Sequence, residues 1–96
     1  MNEVVVQKYG GSSVSSTEKI KLIASKLIER KKKDSKIVVV VSAMGDTTDD
    51  FINMAKDISK SPDKRELDVL MSTGEMISAS LLSMSLNSLG CEAVSY

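Results

Sequence analysis

The chain has 96 residues, enough for one small domain. Its 42% hydrophobic content permits a core, but with 3% aromatics and no Trp that core must rest on Val, Ile, Leu and Met. Thirteen basic residues cancel thirteen acidic ones, which argues against holding nucleic acid by bulk charge, and the absence of His beside a lone Cys91 excludes a Cys/His zinc site, an intramolecular disulfide and histidine catalysis.

The first predicted element is a strand at Val4-Val5-Val6, a β-branched run of the kind covered on both faces. It leads into Lys8-Tyr9-Gly10-Gly11-Ser12-Ser13 and then a helix, with Ser15 and Glu18 spaced as a capping box. Ile20, Ile23, Leu27 and Ile28 recur at helical spacing through about Lys31. The run Arg30-Lys31-Lys32-Lys33 reads as a solvated helix end whose cations complement the dipole, and Asp34-Ser35 as a turn. Ile37 to Val41 form the strongest buried-strand signal in the chain.

A small polar loop, Ser42 to Thr48, follows that strand, and then a helix capped by Thr47 or Thr48 with Phe51, Ala55 and Ile58 facing inward. Ser61-Pro62-Asp63 ends it. Asp63 and Glu66 pair as the next cap, ahead of an apolar stripe at Leu67, Leu70 and Met71. Gly74 interrupts the pattern, and a further helix carries Ile77, Leu81, Leu82, Leu86 and Leu89 up to a C′ residue at Gly90. Ala93-Val94 opens a third strand. The order β-α-β-α-α-β implies an α/β fold with a mainly parallel sheet, in which both polar loops leave strands at their carboxyl ends and lie side by side. A chain stopping at a strand start is expected to be the first piece of a longer fold. Without a basic n-region or a transmembrane-length segment, a cytoplasmic protein is expected.

Three constellations carry chemistry. Gly10-Gly11 alone would read as a tight turn; with Lys8 before and Ser12 and Ser13 after, phosphate binding becomes the better reading, with Lys8 as an electrostatic aid to phosphoryl transfer. The lysine precedes the glycines, unlike the common P-loop. Ser42 to Asp49 is either a plain helix-capping loop or an anion site using the Thr47 and Thr48 hydroxyls. In Ser72-Thr73-Gly74-Glu75, Glu75 either caps a broken helix or projects to bind an ammonium group. Six methionines, Met71, Met76 and Met84 among them, read as adaptable core filling, Cys91 as a small buried hydrophobe, and Asp49, Asp50 and Asp57 as surface charge.

These motifs together resemble a known family. Lys8-Tyr9-Gly10-Gly11-Ser12-Ser13-Val14 is similar to the K-F-G-G-T-S-V signature that opens aspartate kinases, with Tyr9 for Phe and Ser12 for Thr. Val38 to Gly45 with Thr47-Thr48-Asp49 resembles that family's second motif, and Arg65 to Leu70 with Ser72-Thr73-Gly74-Glu75 its third. The resemblance implies the amino-acid-kinase fold, a three-layer αβα sandwich present here only in part, with residues 1–96 as the N-terminal part of the catalytic domain. It implies transfer of the ATP γ-phosphoryl group to the β-carboxylate of L-aspartate, the first step toward lysine, threonine and methionine.

The roles implied in this sequence are Lys8, Tyr9, Gly10, Gly11 and Ser12 at the ATP phosphates, Lys8 as the catalytic charge, and Ser42, Thr48 and Glu75 at aspartate. Mg2+ would be held mainly by the phosphates, with no protein metal site. Neither nucleic acid nor membrane is an expected partner; a homo-oligomer is. The family's remaining kinase half and paired ACT modules are missing, so inactivity in isolation is expected. Alternatives are a kinase of glutamate, acetylglutamate, carbamate or UMP, or a non-catalytic folding or assembly unit. A Rossmann-type dinucleotide binder ranks third, since no G-x-G-x-x-G follows the first strand.

Overall fold

A computed structural model describes residues 3–31 and 35–96. Its elements are β1 (Glu3–Tyr9), α1 (Thr17–Arg30), β2 (Ser35–Val41), α2 (Thr47–Ile58) and α3 (Lys64–Ser88). The two strands pair in parallel, from Glu3 opposite Ser35 to Tyr9 opposite Val41. The fold class is α/β as expected. Lys32, Lys33 and Asp34, read as part of a basic helix end and a turn, lie outside the described residues.

Strand alternation divides the sheet into two unlike faces. On one, Tyr9, Ile37, Val39 and Val41 pack with Ile20, Ile23, Ala24 and Leu27 of α1 and Leu82 and Leu86 of α3, and Val14 closes the end of this core. On the other, Val4 and Val6 are 63% and 65% exposed, and Val38 and Val40 49% and 47%. The continuous valine runs predicted cover on both faces; within the described residues only one face has it.

Helix starts follow the chemistry of capping, shifted in two places. The N-cap of α1 is Ser16, whose Oγ accepts from the Lys19 N–H at 3.2 Å, and not Ser15. Ser15 instead donates its hydroxyl to the Ser12 carbonyl at 3.0 Å. α2 starts at Thr47 with Asp46 as a cap that makes no side-chain bond, so neither Thr47 nor Thr48 is the cap. At α3 the expected cap holds, Asp63 accepting from the Glu66 N–H at 3.0 Å. The inward face of α2 is weaker than its pattern implied: Phe51 and Ala55 are half-buried, but Ile58 is 88% exposed.

Gly74 does not break α3, which runs 25 residues without interruption. This corrects the two-helix reading, and with it the expectation that nothing approaches transmembrane length. By length and composition alone α3 is long and apolar enough to cross a membrane. One side of it packs against the rest of the fold, with Gly74, Ser78, Leu82 and Leu86 buried. Its outer side exposes Val69, Met76, Ile77 and Met84, so Met76 and Met84 are not core filling.

Gly90 is the C′ residue at φ +85°. Its N–H donates to the Asn87 carbonyl at 3.1 Å and that of Cys91 to Leu86 at 2.9 Å, the paired bonds of a Schellman ending. Cys91 is half-buried against the core. The strand expected at Ala93-Val94 is not formed. Asn87 takes both backbone groups of Ala93, accepting from its N–H at 2.8 Å and donating to its carbonyl at 3.1 Å, which removes them from any strand ladder.

Candidate functional site

β1 delivers Lys8 at its penultimate position, opposite Val40 and exposed. By strand alternation it shares the open sheet face with Val4 and Val6. After Tyr9 the backbone makes two successive turns, with the Ser13 N–H on the Gly10 carbonyl at 3.1 Å and that of Val14 on Gly11 at 3.3 Å. Neither Gly10 nor Gly11 adopts a positive φ. Their lack of a side chain therefore matters through space, not backbone conformation. A Cβ on Gly10 would meet nothing within 4 Å, so this stretch of backbone lies open to an incoming group. A Cβ on Gly11 would lie 3.1 Å from the Ala43 carbonyl oxygen. Among the described residues nothing accepts from the N–H groups of Gly10, Gly11 and Ser12.

The second loop lies directly beside the first. The Ser42 N–H donates to the Tyr9 carbonyl at 3.1 Å, extending the parallel ladder one step, and the Gly45 N–H donates to Gly11 at 3.2 Å. Gly45 is at φ +45°, a left-handed conformation that favours glycine. The Thr47 N–H returns to the Met44 carbonyl at 2.9 Å and opens α2. Ser42 and Thr48 are half-buried at this edge.

The third motif arrives on α3. Gly74 is buried against Ala43, so closely that a Cβ there would sit 2.8 Å from the Ala43 Cβ and 3.4 Å from both Phe51 and Thr47. Ser72 and Thr73 turn their hydroxyls back to the helix, donating to the Val69 and Leu70 carbonyls at 2.7 and 2.6 Å. Glu75 is exposed and caps nothing, because the helix does not end there. It forms no ion pair among the described residues.

Ala43 is thus the meeting point of all three motifs, its carbonyl oxygen beside Gly11 and its Cβ beside Gly74. The structure brings Gly11, Ser42, Thr47 and Gly74 into one cluster around Ala43, with Thr48 and Glu75 as chain neighbours of its members, while Lys8 stands apart on β1, three residues before Gly11. A further cation, Lys19, was missed by the pattern reading: its Nζ donates to the Ser12 carbonyl at 3.0 Å. The available signal was a lysine in the first turn of a helix, where acids are favoured. The arrangement can offer free backbone N–H groups and lysine charge to an anion on one side, and hydroxyls with a carboxylate to a zwitterion on the other. It is an open edge. A shallow, open hollow of about 250 Å3 between Ile20, Lys21, Leu81 and Met84 lies between α1 and α3 and involves none of these motifs.

Comparison with known proteins agrees with this architecture. The family described as "Amino acid kinase family" matches residues 3–96. Among curated relatives, the aspartokinase of Bacillus sp. (strain MGA3) is 54% identical over 97% of this chain and 23% of its own length. That of Geobacillus stearothermophilus is 54% identical over 96% of the chain and 23% of its own, and that of Mycolicibacterium smegmatis 50% over 97% and 22%. The solved aspartate kinase from Synechocystis superposes with a TM-score of 0.93 at 42% identity, covering 97% of this chain and 16% of that one. The chain therefore spans about a quarter of the length of the curated relatives it matches and about a sixth of the Synechocystis chain.

Proposed function

Because the chain belongs to the amino acid kinase family, we propose that it supplies the phosphate loop and the acceptor side of an aspartokinase, as the N-terminal part of its catalytic domain. The observation that carries this reading is the convergence of the three motifs on Ala43. In the reaction, a β-carboxylate oxygen of L-aspartate attacks the γ-phosphorus of ATP. The bond from that phosphorus to the β,γ-bridging oxygen breaks, giving 4-phospho-L-aspartate and ADP.

Lys8 neutralises charge on the transferring group, and Tyr9, Gly10, Gly11 and Ser12 line the phosphates. This is catalysis by position and electrostatics, with no proton shuttle asked of the chain. Glu75 pairs with the substrate α-ammonium, Thr48 donates to a substrate carboxylate, and Ser42 lies near the accepting oxygen. Among the described residues no cluster of three or more Asp, Glu, Cys or His is placed to hold a metal. Mg2+ would be carried by the nucleotide phosphates, where it supplies charge neutralisation. A cytoplasmic setting and a homo-oligomer belong to the same reading.

With about a quarter of the relatives' length, the 96-residue chain is expected to be inactive alone. An ADP-release assay with L-aspartate and Mg-ATP tests this, and clear turnover abolished by Lys8→Ala would overturn it. Joined to the remaining length of the Geobacillus stearothermophilus aspartokinase, the chain should support aspartate-dependent ADP release, and Lys8→Ala should then lower kcat by about 100-fold or more. Preference for glutamate, acetylglutamate, carbamate or UMP as acceptor would reject aspartate as the substrate.

A further inference from the structure

Gly74 poses a problem that helix chemistry does not solve. It lies in the middle of a continuous 25-residue helix, where glycine is a poorer residue than alanine and where no break or positive φ requires it. What it has is a neighbour. A methyl group at this position would stand 2.8 Å from the Ala43 Cβ, nearer than two carbons pack, with Phe51 and Thr47 each at 3.4 Å closing the sides. None of these is the far end of a flexible side chain, apart from the Phe51 ring edge. A methyl on Gly11 would in turn stand 3.1 Å from the Ala43 carbonyl oxygen. Ala43 itself is buried at 7% exposure.

We propose that the Gly11–Ala43–Gly74 stack is a spacer that sets how far the acceptor side stands from the phosphate loop, with Gly74 as the positioning residue for Glu75. The inference rests on the aspartokinase reading of the site. Glu75 is the next residue of α3 after Gly74, so it moves with the helix wherever the Gly74 contact seats it. Thr48 follows Thr47, which touches the same glycine. A methyl group at residue 74 pushes α3 off the second loop and carries Glu75 with it. The phosphate loop, held to that loop by the Gly45-to-Gly11 and Ser42-to-Tyr9 hydrogen bonds, stays behind. Close-packed contacts pass such a displacement on without absorbing it. Interior alanine also separates the two explanations, since a residue present only by helical accident would give a more stable protein when replaced by alanine.

The test uses Gly74→Ala, Ala43→Gly and the double variant, each in the 96-residue chain and in the hybrid with the remainder of the Geobacillus stearothermophilus enzyme. In the chain, Gly74→Ala should lower the thermal midpoint, and adding Ala43→Gly, which removes the colliding carbon, should restore most of it. In the hybrid, Gly74→Ala should cut kcat/KM for aspartate by about 30- to 100-fold while KM for ATP stays within about twofold. The double variant should recover to within about fivefold of the parent, a rescue that a general loss of stability would not give. A midpoint unchanged or raised by Gly74→Ala, equal losses for both substrates, or no recovery on adding Ala43→Gly would each overturn the proposal. A parent hybrid that turns over a different acceptor rejects the functional reading before any substitution is made. The role toward Glu75 then falls with it, while the midpoints still decide whether the stack exists.

Discussion

Glu75 shows how much a single position depends on its neighbours for meaning. Its two hydroxyl-bearing predecessors are committed to the helix through the bonds to Val69 and Leu70, and Arg65 pairs with the adjacent Glu66 at 3.0 Å in the first turn of the helix, far from Glu75. Glu75 is left as an exposed carboxylate beside the loop cluster, which is what an ammonium-binding role requires. In the hybrid enzyme Glu75→Gln should raise KM for aspartate by about 10- to 100-fold, the loss expected for one charged hydrogen bond, with KM for ATP unchanged. Steady-state kinetics with each substrate varied in turn will check this, and a parallel rise in both would remove Glu75 from the acceptor side. The candidate residues Lys8, Gly10, Gly11, Ser42, Thr48 and Glu75 were readable as possible chemistry from their motifs. Lys19 was not, because a lysine seven positions beyond Ser12 has no local pattern linking the two; only the turn at Gly10 to Val14 folds them together.

At the level of elements, hydrophobic periodicity was enough to find both strands and all three helical regions, since burial of one face imposes that spacing whatever the wider fold. Boundaries were less legible. Ser15 and Ser16 are chemically equal as caps, and the choice of Ser16 follows from Ser15 being drawn to the Ser12 carbonyl. Thermal or denaturant unfolding can separate them: Ser16→Ala should cost about 1 kcal/mol, and Ser15→Ala, which breaks only an exposed side-chain bond, less. An equal loss would contradict the cap assignment. The predicted break at Gly74 failed for a tertiary reason, as the missing side chain lets the unbroken helix lie close against Ala43 and Thr47. The predicted strand at Ala93-Val94 had the right composition and no partner, and the Asn87 side chain took the backbone groups a neighbouring strand would have used.

Taken as a whole, the molecule is open. Its radius of gyration is 15.6 Å, against about 12 Å expected for a compact domain of this size. The core is built from one sheet face, α1 and α3, and no residue of α2 is fully buried. Val4, Val6, Val38 and Val40 present a valine face to solvent on a two-stranded sheet, the kind of surface and edge that pairs with another chain. Sedimentation of the 96-residue chain over a concentration series should therefore show species larger than a monomer. The double change Val6→Lys and Val38→Lys should shift the distribution to monomer without loss of helix signal by circular dichroism. Monomer at every concentration in the parent chain would show that this face does not drive association.

The sequence alone determined the α/β class, the parallel order of two strands around α1, the three chemistry-bearing motifs and the residues in them. These follow from local rules: burial period, capping, turn chemistry and the charge and hydroxyl groups an anion needs. Tertiary structure decided which sheet face is covered, that α3 is one helix, that the third strand is absent, and above all that the motifs meet at Ala43. Those outcomes depend on how closely two backbones approach. A glycine looks the same in sequence whether it marks a turn, a break or a contact, and only the neighbour 2.8 Å from where its side chain would be tells which it is.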